Sequence, residues 1–260
     1  MQRLFPNPLS GENLAYRRFV IVGPARSGTS MLLSALNRHT EVLCYSEVFN
    51  PKGPLFGVRG MPSKPSSTLK HYRNLFPIAF LNTQVYRGLE DHLQAVGFKI
   101  LSSQLHWCRN HVLMERLASD EQTRIIRLYR ENKLKMLFSL TLAKQSGVWS
   151  SSGTPSKPTA IRLDAKQCEQ AFSRFEEDEV FLRSTFEGDR LFSVSYEQLV
   201  NDPASHLSRI QAHLGLDIER LGTTKKKQRR WPLCELISNY EELRQYFEGT
   251  EWGHFFERDE

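Results

Sequence analysis

The segment that most constrains this chain is Gly23-Pro-Ala-Arg-Ser-Gly-Thr-Ser30. Ahead of it, Arg18 to Gly23 (RFVIVG) reads as a short buried strand that stops at Gly-Pro. Behind it, Met31, Leu32, Ala35 and Leu36 recur on one face at helical spacing. A strand, a small-residue loop and a helix in that order direct backbone N–H groups at an anion near the helix N-terminus. A chain built this way is expected to fold as an α/β protein, with its chemistry at the carboxyl ends of the strands.

The rest of the chain repeats the alternation. Glu41 to Tyr45, Val96 to Leu101, Arg124 to Tyr129 and Arg190 to Tyr196 read as four further strands. Leu134, Leu137, Phe138, Thr141 and Leu142 follow the amphipathic-helix template. Asp202-Pro203 starts another helix, with Asp as N-cap and Leu207, Ile210 and Leu214 as its apolar face. The expected fold is therefore a P-loop-like, three-layer α/β domain, a mostly parallel central sheet flanked by helices. No linker or repeat divides the chain, so residues 1–260 are read as a single domain. Two Gly/Pro/Ser-rich stretches, 51–70 and 150–158, suit the walls of a substrate cleft better than a core.

Charge narrows the partners. The chain carries 35 Lys+Arg against 29 Asp+Glu, a net charge of +6, which favours an anionic ligand. Its basic run, Lys225 to Arg230, lacks the interleaved aromatic residues that stack on bases, so nucleic acid is not expected. No apolar run approaches the ~18 residues of a membrane span, and the N-terminal segment lacks the apolar core of a secretory signal. Cys44, Cys108, Cys168 and Cys234 stand too far apart for a metal cluster, and read as reduced thiols of a soluble cytoplasmic protein.

The loop has a P-loop frame, Gly23-x4-Gly28 followed by two hydroxyl residues, but Thr29 stands where the phosphate-binding lysine belongs. A nucleotide kinase needs that cation on its triphosphate. Here the cation is Arg26, which suits a single phosphate bearing one charged substituent. A P-loop nucleotide kinase and a non-catalytic nucleotide-binding protein remain the alternatives.

At these residues the chain resembles the sulfotransferases that use 3′-phosphoadenylyl sulfate (PAPS). PARSGTS looks like their 5′-phosphosulfate loop, which implies that Arg26, Ser27, Gly28, Thr29 and Ser30 bind the donor. IIRLYRENKLKMLFS resembles their 3′-phosphate element and implies Arg130 and Ser139. Glu131 adds one residue to the usual spacing, so Arg127 and Lys133 compete with Arg130 for that contact. SYEQLVNDP resembles the passage that puts a tyrosine, here Tyr196, near the adenine. The segment KKKQRRWPLCELISNYEELRQYF resembles the end of carbohydrate sulfotransferases of the nodulation-factor type, which implies Lys227 and Gln228 at the donor and a glycan or glycolipid acceptor. PAPS is then the donor substrate, and no metal is expected.

Sulfuryl transfer to an alcohol needs a general base. Glu47 is the first carboxylate after the second strand, and the resemblance implies a glutamate base at that place, with Arg26 over the departing phosphate. His106, after the third strand, is the rival for this role or an acceptor contact. His39 is read as capping the first helix. Lys99, inside the apolar run VGFKIL, is expected to line the donor or acceptor pocket.

Overall fold

Phe19, Val20, Ile21 and Val22 have no exposed surface, so the strand before the loop is covered on both faces. In this computed structural model, which describes residues 16–58, 66–105, 111–149, 159–222 and 231–257, that strand lies at the centre of a five-stranded sheet. The elements begin β1 (Arg17–Gly23), α1 (Thr29–Leu36), β2 (Val42–Tyr45), α2 (Ser67–Leu75), α3 (Pro77–Phe80), β3 (Ala95–Leu101), α4 (Ser102–Leu105) and α5 (His111–Ser119). They continue with β4 (Thr123–Tyr129), α6 (Lys133–Ser146), α7 (Ala165–Thr185), β5 (Leu191–Ser195), α8 (Tyr196–Asn201), α9 (Pro203–Leu214), α10 (Leu233–Leu236) and α11 (Tyr240–Phe247).

All four strand pairings are parallel, in the order β2-β3-β1-β4-β5. The chain leaves β1 for the edge strand β2, returns to β3 beside β1, and then crosses to β4 on the other side. The crevice at the carboxyl end of β1 is therefore the topological switch point, where such sheets bind ligands. Each of the five strands expected from sequence is present, with ends shifted by no more than one residue.

The two faces of the sheet are sealed by different helices. Phe19 and Ile21 pack with Leu32 and Leu36 of α1 and Leu207, Ile210 and Leu214 of α9. Val20 and Val22 pack on the opposite face with Phe80, Leu113 and Leu182. A third cluster joins Leu134 and Phe138 of α6, Phe172 of α7 and Leu243 and Phe247 of α11. Burial of each such side chain contributes about 1.5–3 kcal/mol before ordering costs.

Local signals start the helices on time. The Asn132 side chain accepts the Lys135 N–H and caps α6, while Asp202 accepts from Ser205 ahead of Pro203 in α9. Both are N-cap interactions. The 21-residue α7 is absent from the elements read in the sequence. Its buried Cys168, Phe172, Phe175 and Leu182 recur at helical spacing, but the exposed Val180 and partly buried Phe181 blur the stripe. Among the described residues no helix is long and apolar enough to cross a membrane.

Candidate active site

The loop after β1 is shaped by two left-handed residues. Gly28, the N-cap of α1, has φ 92°, and a Cβ there would lie 2.6 Å from Tyr196 Cδ2. Only glycine meets both demands. Arg26 has φ 68°, the only positive φ of a non-glycine among the described residues. Such backbone strain costs on the order of 1–3 kcal/mol and is held by surrounding contacts. Ser27 supplies one, since its fully buried hydroxyl donates to Pro24 O at 2.8 Å.

The helix that follows is left open for an anion. No side chain caps α1 and its first turn carries no acidic residue. Its first N–H groups have no partner within the helix, and the helix dipole favours negative charge there. Cations surround this end. Arg26 donates from Nε to Ser139 Oγ at 2.8 Å and from Nη1 to Trp149 O at 2.6 Å. Arg130 donates to Arg26 O at 3.2 Å, and its guanidinium stacks 4.7 Å from the centre of the Tyr196 ring. The two motifs read separately in the sequence thus meet in one place.

Arg127, Arg130 and Lys133 all have protein partners, and Arg130 itself also pairs with Glu197 Oε1 at 3.7 Å. Arg127 donates to Ser193 Oγ at 3.1 Å and lies over Tyr129. Lys133 is buried, donates to Arg130 O at 3.0 Å and pairs with Glu179. Of these three basic residues, the one joined to the loop backbone is Arg130.

On the other side of β1, Lys99 bridges loop and carboxylate. Its Nζ donates to Ser30 Oγ at 2.9 Å and pairs with Glu47 Oε1 at 2.9 Å. Glu47 Oε2 accepts from Gln104 Nε2 at 2.7 Å and from Asn50 Nδ2 at 2.9 Å. Burial alone would raise the Glu47 pKa, but the Lys99 charge and these three donors together hold it below the ordinary value. The side chain of Glu47 keeps 18% of its surface exposed against 4% for Lys99. Glu47 is thus an ionised carboxylate with an open side, one lysine away from the anion loop.

His39 meets the end of α1 through its backbone and not its ring. Its N–H donates to Leu36 O at 3.0 Å, while the buried ring meets Asp217 O at 2.9 Å and accepts the Glu41 N–H at 3.1 Å. His106, Lys227, Gln228 and the 150–158 stretch lie outside the described residues, as do residues 59–65. The rest of 51–70 is not all loop wall: Phe56 is buried in the core, where an apolar ring is better placed than in a cleft, and residues 67–70 open α2. Sequence reasoning missed Gln104, Asn50 and Trp149. The one available signal for the first two was a lysine in an apolar strand, which needs a nearby carboxylate with polar company. Among the described residues no group of His, Cys, Asp or Glu is placed to hold a metal ion.

Fold and loop together define a class: a P-loop-like α/β protein whose loop carries Thr29 where the triphosphate lysine would stand. The comparisons say which kind. Residues 121–220, from β4 to the segment after α9, match the family described as "Sulfotransferase family". The chain is 28% identical over 246 residues to the Nodulation protein H of Rhizobium tropici, covering 93% of this chain and 94% of that protein. It is 26% identical over 246 residues to the Nodulation protein H of Rhizobium meliloti strain 1021, covering 92% and 94%. The crystal structure of a sulfotransferase from Alicyclobacillus acidocaldarius superposes with a TM-score of 0.52 at 13% identity, over 95% of this chain and 98% of that one, and so shares the fold. The chain is thus similar to sulfotransferases, in sequence over residues 121–220 and in fold over most of its length.

Proposed function

We propose that the enzyme transfers the sulfuryl group of PAPS to a hydroxyl of a carbohydrate or glycolipid acceptor, with Glu47 as general base. The observation that carries this reading is the Lys99 bridge, 2.9 Å to Ser30 Oγ and 2.9 Å to Glu47 Oε1. It sets a carboxylate beside the loop after β1, which supports a transfer between an acceptor hydroxyl and a phosphosulfate held there.

In this reading the backbone N–H groups at the start of α1, with Thr29 and Ser30, hold the 5′-phosphate, while Ser27 shapes the loop. Arg26 spans phosphate and sulfate. Arg130 and Ser139 serve the 3′-phosphate, and Tyr196 serves the adenine. Lys227 and Gln228 are assigned to the donor by resemblance, and His106 to the acceptor. Glu47 takes the proton of the acceptor hydroxyl as its oxygen bonds to sulfur. The bond between sulfur and the phosphate oxygen breaks, and Arg26 meets the charge that develops on that oxygen. One phosphate and one sulfate present far less charge than a triphosphate, so Arg26 and the loop suffice without a metal. Turnover should therefore be unchanged in a chelator.

The carbohydrate acceptor is supported by the C-terminal resemblance to carbohydrate sulfotransferases of the nodulation-factor type. A thermal-shift comparison of 3′-phosphoadenosine 5′-phosphate (PAP), ATP-Mg and a short oligonucleotide tests the donor class. Stabilisation by PAP alone is expected. A response to ATP-Mg without one to PAP would contradict it.

A further inference from the structure

One buried charge lies outside every role given so far. Arg73, on α2, keeps 1% of its surface exposed. Among the described residues it has no carboxylate partner. Its Nη1 donates to Val48 O at 3.0 Å and to Asn50 O at 2.7 Å. Nε and Nη2 both donate to Asn74 Oδ1, at 3.2 and 2.9 Å, and the guanidinium lies 5.8 Å from the centre of the Phe49 ring. Burial lowers its pKa to about 10, which leaves it a cation at neutral pH.

A contact that only filled space between α2 and the sheet would use a leucine or methionine, which carries no desolvation cost. A guanidinium instead fixes the direction of the two carbonyls it binds, because its donors form a rigid planar fork. Those carbonyls belong to the turn that begins at Glu47. Asn50 N–H donates to Glu47 O at 2.9 Å, Leu55 N–H donates to the same oxygen at 3.1 Å, and Asn50 Nδ2 reaches the Glu47 carboxylate. Holding Val48 O and Asn50 O therefore holds the backbone from which Glu47 meets Lys99.

We infer that Arg73 is a positioning residue for the transfer reaction, a clamp from α2 that sets the Glu47 turn against Lys99 and Gln104. The inference rests on the reading of Glu47 as base. It assigns Arg73 no contact with donor or acceptor.

The test uses R73M, R73K and E47Q in the full chain, with transfer of label from PAPS to chito-oligosaccharides, the PAP Kd and the pH dependence of kcat. R73M should lower kcat roughly 10- to 100-fold, the scale of a small misplacement of a catalytic group, while the PAP Kd stays near the wild-type value. The acid limb of its pH profile should move up, because Lys99, the charged group that acts on Glu47, and the Asn50 and Gln104 donors are no longer held on the carboxylate. R73K, whose ammonium reaches the carbonyls without the planar fork, should fall between R73M and wild type. A purely structural arginine would reduce the folded fraction and leave the limb in place, and that result overturns the inference. Should R73M not fold, R73K carries the test alone, and a wild-type kcat and limb in R73K overturn it. Loss of activity in E47Q beside an unchanged R73M removes the clamp only. Full activity in E47Q removes the base reading and the clamp with it.

Discussion

The Nε–H of Arg26 donates to Ser139 Oγ at 2.8 Å across 113 residues of sequence. The bond joins the loop after β1 to α6, the helix after β4, so the two segments proposed to hold the donor's phosphates meet. It also shows how Arg26 is aimed. From a left-handed backbone its guanidinium reaches Ser139 of α6 and Trp149 O.

In the proposed reaction Arg26 acts on the transition state more than as an anchor. Negative charge grows on the bridging oxygen as the sulfur–oxygen bond breaks, and an interaction that strengthens there raises turnover. Arg26→Ala should lower kcat by a larger factor than it raises the PAP Kd. Steady-state kinetics and calorimetry on the same preparation check this, and equal factors would reduce Arg26 to simple binding.

Arg130 gives a separate prediction. A charge-assisted hydrogen bond to phosphate contributes about 1.5–3 kcal/mol, so Arg130→Ala should weaken donor binding roughly 10- to 100-fold. The preference for PAPS over adenylyl sulfate, which lacks the 3′-phosphate, should shrink in step. An unchanged preference would pass the contact to Arg127 or Lys133.

Much of this architecture was readable before any coordinates. The strands announce themselves through short apolar runs such as RFVIVG, and Thr29 in the lysine position separated the loop from that of a kinase. The neighbours of each strand were not readable, since local pattern does not encode which parallel strands pair. Tyr45 lies opposite Phe98 in the β2–β3 pairing, which brings Glu47 to Lys99. The sequence alone has them 52 positions apart. The long α7 escaped because its apolar stripe is interrupted, and the Arg73 clamp because a buried arginine looks like any other until its carbonyl partners are known.

The fit of Gly28 against Tyr196 is testable by one methyl group. Gly28→Ala places a Cβ 2.6 Å from Tyr196 Cδ2 at φ 92°. The backbone term alone costs about 1–2 kcal/mol, so thermal unfolding should occur at a lower temperature and PAP should bind more weakly. A variant with unchanged stability and PAP affinity would mean that the loop relaxes freely.

In the proposed reaction Lys99 sets the pH range of the base. Burial pushes the Glu47 pKa up, and the Lys99 charge with three hydrogen bonds overrides it to a net depression. A depressed carboxylate keeps its favourable interactions above the ordinary pKa of 4.5 and loses them as pH falls through the lower folded value. The acid limb of kcat/KM should therefore lie below the usual glutamate range. In Lys99→Met the desolvation remains without the cation, and the limb should move up. A limb unmoved in a folded variant would detach Glu47 from the profile.

The most direct measurement is the rate of label transfer from PAPS to chito-oligosaccharides by wild type and Glu47→Gln, with the PAP Kd of both. The amide keeps the size of the side chain but cannot accept a proton. Wild type should label the oligosaccharide, and the variant should lose roughly 10²–10⁴-fold in turnover with the PAP Kd unchanged. Transfer by Glu47→Gln at the wild-type rate, or label that passes to simple phenols and to no glycan, would contradict the account.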